Sequence, residues 1–237
     1  MFCEFRKIKR TGFFPVWLAG ALLSGGFPLL NMAFRAENYT GLPGSGISIL
    51  LKANWQTSAM MNLMLLILGA CILYHIEFAD NGLQKMLTLP LRESRIFLGK
   101  FLLMILAWLT ALAEECLLYG FCCVRWFPWE PFLPELLRSF GWFFLTGLPT
   151  LGFMLLISSL CRNMWVSLGA GVVLVFAATL VPETSSALSL LPFVLPYRLP
   201  ETAGTGDVLL SLAAVFAELV LCILLQRILT LFRRSAL

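Results

Sequence analysis

Charge is scarce in this chain, and histidine is nearly absent. Aspartate, glutamate, lysine and arginine together make up 13% of 237 residues, 59% are hydrophobic, and His75 is the only histidine. A soluble globular domain carries about 25% charged residues. A chain this apolar cannot cover its own surface in water, so lipid must be the solvent for most of it. A single histidine excludes a multi-histidine metal site. Seven cysteines are present, but none are in C-x-x-C spacing, so they read as small apolar packing residues rather than as a metal or redox site. Arg6, Lys7, Lys9 and Arg10 precede a hydrophobic run, yet no small-residue cleavage pattern follows it, which predicts no cleavable signal peptide. Internal repeats and low-complexity tracts are also missing.

What is present is a succession of long, largely apolar runs. About 20 apolar residues cross about 30 Å of hydrocarbon. Runs of that kind lie at about 11–34, 53–75, 96–124, 139–161, 163–182 and 208–228. The expected fold is therefore an all-α membrane protein, one transmembrane domain over 1–237 with six spans. Lysine and arginine counts set its orientation. With the N-terminus in the cytoplasm, the outer side holds Arg35, Lys52, Arg125, Arg138 and Arg198, and the remaining twelve of the 17 basic residues lie inside. Both termini are then cytoplasmic. Trp126 and Trp129 follow the third span, as an aromatic interface belt would. Ser189 to Leu199 is apolar but too short to cross, and reads as an interfacial or re-entrant outer segment that needs protein or water to satisfy its backbone.

The most polar stretch, IEFADNGLQKMLTLPLRESRIFLGK (76–100), lies on the cytoplasmic side between spans two and three. Asn81-Gly82 signals a turn. Leu83, Met86 and Leu87 then share one face at helical spacing, and Pro90 ends that short helix because it has no N–H to donate to the preceding turn. A short amphipathic helix on this face can rest on lipid headgroups or dock in a partner's groove. A basic loop that only satisfies the positive-inside rule fits the periodicity equally well.

The basic N-terminal segment EFRKIKR, the six spans, and a loop carrying Glu77, Gly82, Pro90, Arg95 and Lys100 into span three make the chain resemble the membrane subunits of ABC-2-type transporters, especially the short permeases of lantibiotic-immunity transporters. The stretch LQKMLTLPLRESRIFLGK carries most of this likeness, and the outer loops carry least. The sequence contains no G-x-x-x-x-G-K-[ST] phosphate-binding loop. The resemblance implies that the chain is not itself an enzyme and binds no cofactor, and that ATP and Mg are held by a separate ATP-binding cassette subunit, present in two copies. It implies that Leu83, Met86 and Leu87 anchor a coupling helix in that subunit's groove while Lys85, Arg92 and Arg95 fix its register. Glu77, Gly82 and Pro90 belong to the same set. Arg162, in the turn between spans four and five, would make a second contact, and Phe5 to Arg10 would form an interfacial helix. A second permease, identical or a sister chain, membrane lipid, and a peptide or lipophilic substrate are the other implied partners, without nucleic acid. The implied function is export of a lantibiotic or similar antimicrobial peptide across a bacterial cell membrane. Another lipophilic substrate is the nearest alternative.

Three acidic residues fall inside spans: Glu114, Glu115 and Glu218. A charge at the bilayer centre costs on the order of 3 kcal/mol, so such groups face a bundle interior or a wet cavity. Each is either structural, meaning protonated or paired, or turned to the substrate or an interface. Glu114 and Glu115 are about 100° apart on a helix and cannot point the same way. Two adjacent glutamates also invite a membrane-enzyme reading, because intramembrane proteases of the CAAX-processing type carry Glu-Glu-x-x-x-Arg. Here Tyr119 stands in the arginine position and His75 lies upstream, so the groups that a metal or an activated water needs are missing. A six-span protein acting alone, as enzyme or signalling scaffold, is the remaining alternative. Gly169-Ala170-Gly171 and Ala177-Ala178 would allow close helix packing and are candidates for a subunit interface.

Overall fold

The computed structural model of the protein describes residues 12–78, 93–181, 187–200 and 205–235, without the side chains of 93–95, 205 and 233–235. Among the described residues the structure is helical, with no strand. In chain order the helices are α1 (Phe13–Arg35), the short α2 (Glu37–Thr40), α3 (Gly46–Phe78), α4 (Glu93–Trp126), α5 (Leu133–Leu160), α6 (Met164–Thr179) and α7 (Thr205–Ser235). Two 3-10 turns, Ala187–Leu190 and Leu195–Tyr197, precede α7. Helices α1, α3, α4, α5 and α7 are long and apolar enough to cross a membrane. At 16 residues, α6 is about 24 Å long, short of the roughly 30 Å of a hydrocarbon core.

Local sequence explains the ends. Gly12 holds φ at 73° ahead of α1, a left-handed conformation that glycine adopts at little cost. Cys161, Arg162 and Asn163 make the turn from α5 to α6, where the Asn163 side chain accepts from the backbone N–H of Trp165 at 3.0 Å and caps α6. Such a cap satisfies one of the first N–H groups that a helix leaves without a partner.

Helix α3 is the hub. It packs against α1, α4, α5 and α6, while α5 adds contacts to α4, α6 and α7. The apolar window of α3 is 61% buried and that of α7 only 17%, so α7 is the helix most open to lipid. Small residues set how closely the hub is approached. A Cβ at Gly171 would come within 2.6 Å of Ile67 and 2.9 Å of Met154, whereas one at Gly169 would meet nothing within 4 Å. The small-residue stretch of α6 therefore divides. Gly171 and the buried Ala178 serve packing inside the chain, and Gly169, Ala170 and Ala177 face out.

Between α6 and α7 the chain is irregular yet enclosed. Phe193, Val194, Leu195 and Pro196 are buried, and the turn Leu195–Tyr197 packs against both α3 and α5. Its backbone finds side-chain donors: the Thr150 hydroxyl donates to the Pro192 carbonyl, and the Trp142 indole N–H donates to the Arg198 carbonyl at 3.0 Å. Non-helical backbone is tolerated at membrane depth only with such partners.

Gly147 permits the fully buried Trp108 ring to lie between α4 and α5, edge-on to Phe143. A Cβ at 147 would overlap that ring. Gly147→Ala is expected to lower unfolding stability in detergent by about 1–3 kcal/mol through overpacking. Gly141→Ala, on the same helix with nothing within 4 Å, should leave the unfolding midpoint unchanged or raise it slightly.

Candidate functional site

Two polar centres interrupt the apolar interior, both built on α3. The first closes the end of the bundle from which the 79–92 loop departs. Glu77 and Lys100 are both fully buried, with Lys100 Nζ 2.9 Å from Glu77 Oε1. The same ammonium donates to the Leu73 carbonyl at 2.9 Å and lies 5.3 Å from the centre of the Tyr74 ring. An ion pair thus ties α3 to α4, joining Glu77 in the last turn of α3 to Lys100 about two turns into α4. A buried pair costs desolvation of both charges and holds only with good geometry and further hydrogen bonds; here the Leu73 carbonyl accepts one and the Tyr74 ring faces the ammonium.

The second centre is a ladder of polar side chains at four-residue spacing on one side of α3: Asn54, Ser58 and Asn62. The Asn62 amide group donates to Glu115 Oε1 at 2.7 Å, to the Ser24 hydroxyl at 3.2 Å and to the Ser58 carbonyl at 3.0 Å. Its own oxygen accepts from the Trp108 indole N–H at 3.3 Å. Ser58 shares a hydrogen bond with the buried Tyr119 hydroxyl at 2.9 Å, and Asn54 accepts from Asn31 of α1 at 2.8 Å. Glu115 is completely buried, so its inward direction is settled. Trp55 Nε1 and Glu115 Oε2 are buried with no hydrogen-bond partner among the described residues, and both side chains line one cavity with Ser58, Asn62, Phe140 and Phe143. That cavity has room for no more than about one water.

The three intramembrane acids separate. Glu115 joins the α1–α3–α4 network, whereas Glu114, the next residue, is half-buried in a groove on the outside of α1 and α4. Glu218, on α7, is half-buried with Oε2 buried and unpartnered among the described residues. Arg162 is exposed in its turn, and His75 is exposed in the last turn of α3. Gly82, Leu83, Lys85, Met86, Leu87, Pro90 and Arg92, which the sequence places in a coupling helix, lie outside the described residues, as does the expected interfacial helix Phe5 to Arg10. Arg95 is described only as backbone in α4. Glu77, assigned to the same coupling set, turns inward to Lys100 rather than outward. No group of three or more metal-ligating side chains occurs among the described residues.

A family model for ABC-2 family transporter proteins matches residues 1–178. The chain belongs to the ABC-2 transporter family. No curated protein and no solved structure matches significantly. As an ABC-2 membrane component it is a multi-pass permease, and the family implies an ATP-binding cassette partner, the permease generally having no ATPase site of its own. The matched range runs from the N-terminus through α6, so the Glu77–Lys100 pair and the 79–92 loop lie within it.

The sequence does not announce the network partners of Glu115. The signal available was Asn54, Ser58 and Asn62, three polar residues four apart in an otherwise apolar run, hence on one side of a helix. The Glu77–Lys100 pair offers no such signal, because only packing of α3 against α4 brings the two together. Lys100→Met should destabilise the permease by about 3–5 kcal/mol by removing the cation set against the buried Glu77 carboxylate. The double variant Glu77→Leu with Lys100→Met should be more stable than Lys100→Met alone. Denaturant unfolding of the wild type, Glu77→Leu, Lys100→Met and the double variant measures this, and additive losses would contradict it.

Proposed function

We propose that this permease is the membrane subunit of an ATP-driven exporter in a bacterial plasma membrane, with both termini cytoplasmic. It pairs with a second permease, identical or sister, and two cassette subunits carrying ATP and Mg dock beneath. The loop at 79–92 is the coupling element: Leu83, Met86 and Leu87 seat in the cassette groove and Lys85, Arg92 and Arg95 register it. Gly82 and Pro90 set its ends, and Arg162 makes the smaller contact. The observation that carries this reading is the Glu77–Lys100 ion pair. It ties α3 to α4 near the end where 79–92 connects them, so a push on that element would reach both helices together. In the same reading α6 and the enclosed segment 187–200 together complete the fifth crossing, the segment being re-entrant from the outer face, and α7 is the sixth.

The proposed substrate is a lantibiotic or similar antimicrobial peptide, removed from the membrane or its outer face. A different lipophilic substrate is the second reading, and the apolar groove beside Glu114 favours neither. ATP-driven closure of the cassettes would shift the bundle between states of different substrate affinity, and only that difference can drive export.

Purification of the tagged permease from its native membrane in mild detergent is expected to bring a cassette subunit with it. Met86→Asp with Leu87→Asp should lose that subunit while the permease itself stays folded and membrane-embedded. Absence of any cassette subunit under conditions that preserve other membrane complexes would favour a protein acting alone.

A further inference from the structure

Glu114 sits on the outside of the bundle. It lines an open groove of about 360 Å³ between α1 and α4, together with Phe14, Trp17, Leu18, Ala21 and Thr110. The other polar groups of this wall are already used: the Thr110 hydroxyl donates to the Ala107 carbonyl at 2.6 Å, and the Trp17 indole N–H donates to the same carbonyl at 2.8 Å. Glu114 has no hydrogen bond or ion pair to any described residue. Along α4 it stands about 21 Å beyond Lys100 and about 16 Å short of Arg125, at about 1.5 Å per residue. It is therefore far from the basic residue at either end of the helix. A carboxylate at that depth is costly unless a cation or water covers it.

The chain cannot supply that cation from another copy of itself. Positions 11–34, 53–84, 101–124, 139–161, 163–197 and 199–226 contain no lysine or arginine. A second copy packed over the groove would bring no lysine or arginine to this level. Lipid tails cannot cover the charge either. What fits is a molecule carrying its own positive charge on an apolar body, able to reach the groove through the bilayer.

We propose that the α1–α4 groove is a binding site for amphipathic cations drawn from the membrane, the charge set against Glu114 and the apolar body against Phe14, Trp17 and Leu18. This names a substrate class for the exporter and rests on that reading for the onward transport only. Binding itself requires no cassette subunit and no ATP. The attraction is electrostatic and acts in a medium of low dielectric constant, so it distinguishes the sign of a ligand far more sharply than its shape.

The test uses two ions of the same form and opposite charge, tetraphenylphosphonium and tetraphenylborate. The full-length permease in nanodiscs of zwitterionic lipid should show saturable tetraphenylphosphonium binding above empty nanodiscs, and no saturable tetraphenylborate binding. Glu114→Gln should weaken the cation's binding at least tenfold without changing the unfolding midpoint. Thr110→Trp, which fills the groove and keeps the carboxylate, should weaken it comparably and decides the matter if Glu114→Gln does not fold. Equal binding of the two ions, or undiminished cation binding in the folded variants, would overturn the site. So would release of a sister permease by Glu114→Gln with no competition from the cation, because Glu114 would then serve a subunit contact. Intact cation binding without ATP-dependent efflux would leave the site standing and count against the exporter.

Discussion

Helices in lipid gain nothing from hiding apolar surface, because lipid tails are as apolar as leucine. The bundle must be held by close packing and by polar contacts between helices, and in this permease both converge on α3. Asn54 and Asn62 link it to α1 through Asn31 and Ser24, Ser58 and Asn62 link it to α4 through Tyr119 and Glu115, and Glu77 links it to α4 again through Lys100. Without α3, α1 and α4 would keep their own extensive packing, close at Gly25 against Glu115 and Leu118, and the Trp17–Ala107 hydrogen bond, but would lose the polar ladder that fixes their register against the rest of the bundle. Interhelical hydrogen bonds of this kind are worth about 0.6–2 kcal/mol each in membranes. A ladder of them specifies which helices meet and in what register more than it adds to the total stability.

The same logic separates the rigid part of the molecule from the parts that can act. The aromatic packing of Trp55, Trp108, Tyr119, Phe140 and Phe143 fills the space beside the Glu115 network. Such an interior moves as a body or switches between discrete packings, and does not deform smoothly. A force applied at the proposed coupling loop therefore has a defined recipient. In the proposed reading the Glu77–Lys100 pair would make α3 and α4 move together at that end, and α3, packed against α1, α5 and α6, would pass the motion on. By contrast α7 touches the rest mainly through α5 and is mostly exposed, as expected of a helix whose apolar face meets lipid or a neighbouring subunit.

Much of the helical architecture was legible in the sequence, because a run of about 20 uncharged residues has few other uses. Where hydropathy alone sets the limits it errs. Helix α3 starts at Gly46, before the apolar run, since Lys52 lies near a helix end where a long side chain can reach the interface. Helix α6 is shorter than its apolar run, which passes into the turn at Leu180. The divergent directions of Glu114 and Glu115 followed from helical geometry alone, but their surroundings did not. Asn62 lies 53 residues from Glu115 in the chain, and no local pattern encodes that meeting. Glu77 reads only as one of the coupling set, and nothing local points to Lys100, for the same reason: that partner, 23 residues on, reaches it only when α4 has folded back along α3.

The measurement that bears most directly on the role of the Glu77–Lys100 pair is a distance between the feet of α3 and α4 through the ATP cycle. Spin labels at His75 and Leu98, both exposed, would report it in the permease assembled with its cassette subunits. The pair predicts one fixed separation with and without ATP, and a broadened or shifted distribution in the assembled Lys100→Met variant together with a loss of ATP-driven transport. A Lys100→Met complex that keeps the fixed separation and full transport would contradict the proposal that this ion pair couples the loop to the bundle.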